Sequence, residues 1–305
     1  MYYIDLTLTG ISFGCMYAMM SIGLTLVYGL LRILHVAHAA VFALGAYAVV
    51  LDGLDAAAVG ETVATARPDV IVNQMTGLSE AHAGKLNPRK ADRYFAATNR
   101  LRTEGIDHLL AAAEAAQVSH VVAQSHASFN GVRDGGWVKT EADPLEVVEG
   151  TRAISHLEDA VVAAGGAALR YGAFYGPGAT DEQIAMVRKR MFPIVGGGSG
   201  YFSWVHLDDA ATATVLAVEQ RATGVFDIVD DEPAPVSAWL PYLARCVGAK
   251  PPRRLPAWLA RLLAGEMMVG MMTQGRGFSN AKARAELGWQ LRYPSWRQGF
   301  AEGLT

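Results

Sequence analysis

Ala167-Ala168-Leu169-Arg170-Tyr171-Gly172-Ala173-Phe174-Tyr175-Gly176-Pro177-Gly178 is the stretch that decides the fold. Ala167–Tyr171 is a short apolar run, and the glycines and proline behind it predict a strand that stops abruptly. The same punctuation recurs outward from it. Upstream, the spacing predicts a helix over Thr151–Ala164, a strand over Val118–Gln124 and a long helical stretch from Lys90 to Ala116. Before these, Pro68 opens the apolar run Asp69-Val70-Ile71-Val72-Asn73, preceded by a helix over Ala56–Ala66 and a strand over Ala46–Asp52. Downstream come a helix over Asp208–Glu219, a strand over Gly224–Val229 and a less regular helical tail from about Ser237. Strands alternating with helices across short loops imply an α/β fold built on a parallel sheet.

The 305 residues carry 26 basic and 29 acidic side chains, for a net charge of −3, and 51% are apolar. No basic run appears, so nucleic acid is not an expected partner. The apolar content excludes a disordered chain. Cys15 and Cys246 are the only cysteines. They build no disulfide framework, make a reducing compartment the default, and leave no zinc-type spacing, so no metal is expected.

Charge is scarce at the amino end, where residues 1–51 hold only Asp5 and Arg32. Residues 6–31 are free of formal charge, and a bilayer needs about 20 such residues. Gly10 and Gly14 sit four apart, as small residues do where membrane helices pack. A second run, Ile33 to Leu51, is interrupted by His35 and His38. The pattern Gly14-x-x-Tyr17-Ala18, Gly23-Leu24-Thr25-Leu26-Val27-Tyr28-Gly29, Ala37-His38 and Gly45-Ala46-Tyr47 resembles the start of a branched-chain amino acid ABC-transporter permease, over roughly residues 8–50. It implies an apolar helical segment over 1–50 and membrane association through 6–31. A single span would leave the α/β part in the cytoplasm. Nothing after Leu51 is long and apolar enough for the further spans a permease requires.

Residues 46–305 resemble the extended short-chain dehydrogenase/reductase superfamily, in particular its NAD-dependent epimerase/dehydratase group. The resemblance rests on Asp52-Gly53-Leu54-Asp55, Pro68–Asn73, Asn99 with Gly105–Ala112, and the quoted Leu169–Gly178 stretch. Phe202–Ala210, Ser279–Ala283, Leu287-Gly288-Trp289 and Trp296–Phe300 continue it in the family's order. It implies a Rossmann-like doubly wound sheet over 51–235, a small, mostly helical substrate region over 236–305, and NAD or NADP as cofactor. Asp52, Leu54, Asn73, Met75, Asn99 and Tyr171 fall nearest the cofactor. Tyr175, Gly197 and Trp204 fall toward a small-molecule substrate with a carbonyl or hydroxyl, of nucleotide-sugar type. A homodimer is the implied assembly.

Two family features are missing. No glycine-rich turn stands near the amino end to receive a pyrophosphate on a helix N-terminus. Gly10-x-x-x-Gly14 is one residue off in spacing, and Gly196–Gly198 and Gly200 come late, in a loop. The apolar segment fills the roughly 50 residues that a first βαβ unit occupies, so the sheet is expected to lack that unit. In addition, no tyrosine has Lys at i+4. The resemblance puts Arg152 and His156 where the proton-transferring Tyr and Lys belong. Ser125, His126 and His156 are the remaining catalytic candidates, with His126 able to act as an acid near neutral pH. Asp134, Lys139 and Asp143 read as a solvated loop, Asp208 or Asp209 as a helix cap, and Met267, Met268, Met271 and Met272 as core or pocket lining. The functional readings are an NAD(P)-dependent epimerase/dehydratase-like oxidoreductase, a noncatalytic NAD(P)-binding or scaffold module, and a permease fragment.

Overall fold

Four strands, Ile71–Asn73 (β1), Val121–His126 (β2), Ala167–Tyr171 (β3) and Gly224–Ile228 (β4), pair side by side in that order, all parallel. The computed structural model describes residues 49–78, 91–146 and 149–304. Apolar residues follow one another along the inner strands, as in Val121-Val122-Ala123 and Ala167-Ala168-Leu169, so both sheet faces need a cover. Helices Ala56–Ala66 (α1), Ile106–Ala115 (α2) and Glu149–Ala163 (α3) supply one, packing Val59, Val63, Ile106, Leu109, Leu157 and Val161 against Ala123. Helix Leu207–Glu219 (α4) supplies the other, laying Ala210, Ala213 and Ala217 on Leu169, Phe226 and Ile228. Small residues on α4 let the helix approach the bulky strand side chains closely.

Local chemistry explains the element ends. The Asp55 carboxylate accepts from the amides of Ala57 and Ala58 (3.0 and 3.1 Å) and starts α1 where the sequence predicts it. Gly166 precedes β3 because a Cβ there would lie 2.3 Å from the Val121 carbonyl oxygen. The stretch from residue 91 to 115 is helical as expected, but not continuous. Ala91–Arg100 passes into α2 through a π-helical turn, Leu101–Gly105. The expected strand over Ala46–Asp52 is corrected in its described part, since residues 49–52 join no strand.

The start of α4 is a second correction. His206, not Asp208 or Asp209, caps it, its Nδ1 accepting from the Asp208 amide at 3.1 Å. Asp209 instead turns inward and accepts from the amides of Arg292 (2.6 Å) and Tyr293 (3.0 Å), tying the tail to α4. The expected solvated loop also differs, because Lys139 is buried and directs Nζ to the Asp134 carbonyl, 3.8 Å from the Asp143 carboxylate. The tail interlocks with the rest of the chain, as Gly277–Phe278 pairs in parallel with Val138–Lys139.

At the outer edge of β1 no further strand pairs among the described residues, and Val72 is 38% exposed there. That is the edge on which a first βαβ unit would continue the sheet. The apolar segment over 1–50 and its expected span over 6–31 lie outside the described residues, apart from Val49 and Val50. Among the described residues no helix is long and apolar enough to cross a membrane.

Candidate functional site

The carboxyl edge of a parallel sheet is where strands end, loops open and helix N-termini point, so ligands of such folds bind there. Along this edge the structure places Asn73, then Ser125 and His126, then Tyr171. The Asn73 Oδ1 accepts from the Met75 amide at 3.1 Å, turning the chain sharply after β1. The Gly77 amide then donates to Thr98 Oγ1 (2.8 Å), anchoring the loop to the helix Ala91–Arg100. Asp52 holds its own turn by accepting from the Leu54 amide at 2.9 Å. Gly53 in that turn presses on Met75 and Leu101, since a Cβ there would lie 2.7 Å from the Met75 Sδ. Asp52, Leu54, Asn73 and Met75 therefore share one corner. The helix carrying Asn99 borders it, and the Asn99 Oδ1 is buried with no hydrogen-bond partner.

Tyr171 lies one strand further along, buried, its hydroxyl 2.6 Å from Thr214 Oγ1 and accepting weakly from Gln74 Nε2 at 3.4 Å. Burial pushes its pKa up, so it stays a neutral phenol. Gln74, Thr98 and Thr214 were not singled out by the sequence. Gln74 carried a local signal, as the residue directly after β1.

Ser125, His126 and His156 do not converge. Neighbouring strand residues point to opposite faces, and here each finds its own partner. Ser125 faces α3 and donates to the buried Glu158 carboxylate. Glu158 also accepts two hydrogen bonds from Arg170, at 2.8 and 2.7 Å. Register sets Ser125, Arg170 and Asp227 in one row across β2, β3 and β4. Burial first, then the nearby Glu141, pushes the Asp227 carboxyl pKa well up.

His126 lies on the other face, with Nε2 3.0 Å from Ser128 Oγ and its ring 5.7 Å from Phe129. Burial, then the positive charge of Arg102, lowers its pKa to about 4. That environment favours the neutral imidazole at physiological pH. His156 is exposed on α3 and pairs with Asp107 at 2.8 Å, and Arg152, one turn earlier, is also exposed.

Tyr175 and Trp204, expected toward the substrate, are closed into an aromatic core with His206, Trp239 and Phe300. Both are at most 1% exposed. The helices Val236–Cys246 and Trp296–Glu302 bring in Trp239 and Phe300, and their packing covers these rings. Gly197 alone of the three is exposed. Met268, Met271 and Met272 pack in or against the same core, while Met267 is largely exposed. Among the described residues no group of three or more His, Cys, Asp or Glu side chains is placed to hold a metal ion.

Comparison with known proteins adds to this geometry. A model of the "NAD dependent epimerase/dehydratase family" matches residues 32–229. Its match begins inside the stretch that resembles a permease. A curated Streptomyces protein, the "3-diazoavenalumate denitrifying reductase", is 44% identical over 264 residues, spanning 82% of this chain and 84% of its own. Among solved structures, the Thermotoga maritima UDP-glucose 4-epimerase with UDP-glucose superposes with a TM-score of 0.66 at 18% identity, over 83% of this chain and 82% of its own. A human epimerase family protein with NADPH gives a TM-score of 0.65 at 18% identity, over 80% and 85%. At that identity the two structures share the fold.

Proposed function

The chain belongs to the NAD dependent epimerase/dehydratase family, and on that premise we propose that it is an NAD(P)-dependent reductase of a small molecule. The observation that carries the reading is the 44% identity to a reductase across most of both chains. The nucleotide-sugar substrate implied by resemblance rests on relatives that share only the fold, so the reductase reading takes precedence.

The carboxyl edge fits a dinucleotide. A buried acceptor with no donor costs free energy unless a ligand satisfies it, and Asn99 Oδ1 is such an atom beside the Asp52–Leu54 turn. A ribose hydroxyl or an adenine amino group supplies the donor it lacks. Asp52, Leu54, Met75 and Asn99 would hold the nucleoside end, with Tyr171 further along the edge. When bound, the reduced dinucleotide supplies a hydride.

The chain's own residues narrow what can accept that hydride. A carbonyl oxygen needs a proton as the hydride arrives, and a phenol with a lysine neighbour suits that role. Here the corresponding positions hold Arg152, exposed on α3, and His156, exposed and engaged by Asp107, in place of the phenol and the lysine. His126 is neutral. A diazo group makes no such demand in its cationic form, because hydride replaces dinitrogen: R–N₂⁺ plus hydride gives R–H plus N₂. We read the substrate as a small diazo compound, in line with the relative's name, with carbonyl reduction as the alternative.

The test mixes the full chain with NADH or NADPH, watching for fluorescence enhancement, and then adds an arenediazonium salt or an aldehyde panel. The expected result is one dinitrogen released per reduced dinucleotide consumed. Turnover of aldehydes alone would overturn the diazo reading. Absence of any dinucleotide binding would overturn the reductase reading as a whole.

A further inference from the structure

Arg102 sits in the π-helical turn Leu101–Gly105, the one π-helical segment among the described residues. Such insertions in a helix are often found at functional sites. The turn is wedged into the corner described above. A Cβ on Gly105 would lie 3.3 Å from the Gly53 carbonyl oxygen, and Leu101 touches Gly53. On its other side the turn packs against α3, which carries Glu158.

Among the described residues the guanidinium of Arg102 has no hydrogen-bond or ion-pair partner. Several other arginines hold carboxylates: Arg100 with Glu104, Arg133 with Glu146, Arg170 with Glu158, Arg284 with Asp231 and Arg297 with Glu232. The carboxylate that acts on Arg102 is Glu158. Glu158 is already committed, one oxygen accepting from Ser125 and Arg170 Nε and the other from Arg170 Nη2. Burial pulls the Arg102 pKa down to about 10, so it keeps its charge at neutral pH, and that charge reaches His126 at the end of β2. The chain thus holds a half-buried cation with no protein partner among the described residues, on a turn that borders the cofactor corner on one side and packs against α3 on the other.

We propose that Arg102 is a binding residue for an oxyanion at the carboxyl edge of the sheet, its planar fork taking two oxygens of a carboxylate or a phosphate. Bidentate arginine contacts to such groups are among the strongest hydrogen bonds available to a protein. The turn that carries the fork borders the corner read as the dinucleotide's, so a phosphate of the dinucleotide or a carboxylated substrate is the oxyanion it would take. This deepens the reductase reading and rests on the same site, but it does not require turnover to be tested.

The test compares wild-type protein with R102Q in equilibrium titrations, using NADPH, sodium pyrophosphate and sodium benzoate as probes. Losing a charge-assisted pair is expected to weaken the bound oxyanion by roughly 10- to 100-fold. Weaker NADPH and pyrophosphate binding assigns the fork to the cofactor's phosphates. Weaker benzoate binding with NADPH unchanged assigns it to a substrate carboxylate. Equal binding of all three probes by both proteins overturns the proposal. Phenylglyoxal labelling of wild-type protein, read by peptide mass spectrometry, keeps the test open if R102Q does not fold. Pyrophosphate or benzoate should then shield Arg102, and labelling unaffected by either overturns the proposal. Active diazo reduction with equal probe binding would sink the Arg102 assignment alone. Altered probe binding without any reduction would sink the reductase reading alone.

Discussion

Arg170 grips Glu158 with two parallel hydrogen bonds, Nε to Oε1 at 2.8 Å and Nη2 to Oε2 at 2.7 Å, beneath α3. Both side chains are at most 7% exposed. A buried pair of this kind is costly to break, because the remaining charge stays desolvated. R170M should lower the unfolding free energy by about 3–5 kcal/mol. The R170M/E158M double variant, which removes both charges, should recover most of that loss. Urea denaturation at constant m-value measures both. A double variant as unstable as the single one would show that Glu158 is not the source of the cost.

His126 gives a pH signature. Its pKa falls from the usual 6.5 to about 4 in the folded protein. Between those values the unfolded chain binds a proton that the folded protein refuses. The stability this provides is complete above pH 6.5, declines as pH falls, and is fully lost below about 4. H126N should therefore flatten the stability profile between about pH 4 and 6.5 relative to wild type, as followed by thermal melts at half-unit pH steps. Parallel profiles for the two proteins would mean that the imidazole titrates normally.

Much of this architecture is legible in the sequence. Ala167–Tyr171 and Ala56–Ala66 match their predicted bounds because each is fenced by local signals, the Gly172–Gly178 turn and the Asp55 cap. The row Ser125–Arg170–Asp227 is not legible, because it depends on the register between strands about 45 to 57 residues apart. Glu158 completes it from a helix whose own periodicity shows only which face is buried. Tyr175 and Trp204 follow the same logic in reverse. Their motif placed them toward the substrate, while helices from the end of the chain close over them. Arg102 hides in a stretch that reads as continuous helix, since its apolar markers, Leu101, Leu109 and Leu110, lie too sparsely around the π-turn to reveal the one-residue insertion.

The Tyr175 hydroxyl is buried without a partner, and a Cβ on Gly299 would lie 2.1 Å from it. The phenol thus occupies the space that only a glycine leaves on the helix Trp296–Glu302. Y175F removes an unsatisfied oxygen and should hold or raise stability by up to about 1 kcal/mol. G299A should instead cost about 1–3 kcal/mol through overpacking. Differential scanning calorimetry of the two variants decides it, and a Y175F protein that loses stability would reveal a partner for the hydroxyl.

Asp227 titrates in the opposite sense to His126. Burial and Glu141 push its folded pKa well above the usual value of about 3.9. Neither carboxyl oxygen has a hydrogen-bond partner, and Arg170 Nη1 stands 3.8 Å away. From about pH 3.9 upward the folded protein holds a proton that the unfolded chain releases. Stability is therefore fully present below that pH and erodes as pH rises through the folded pKa. D227N keeps the shape of the neutral acid and cannot ionise, so it should be more stable than wild type at pH 7 and nearly equal to it at pH 4. Guanidinium titrations at both pH values test the difference. A variant less stable at pH 7 would mean that Asp227 is ionised there and held by Arg170, which would also make the pairing of Arg170 with Glu158 only half of its role.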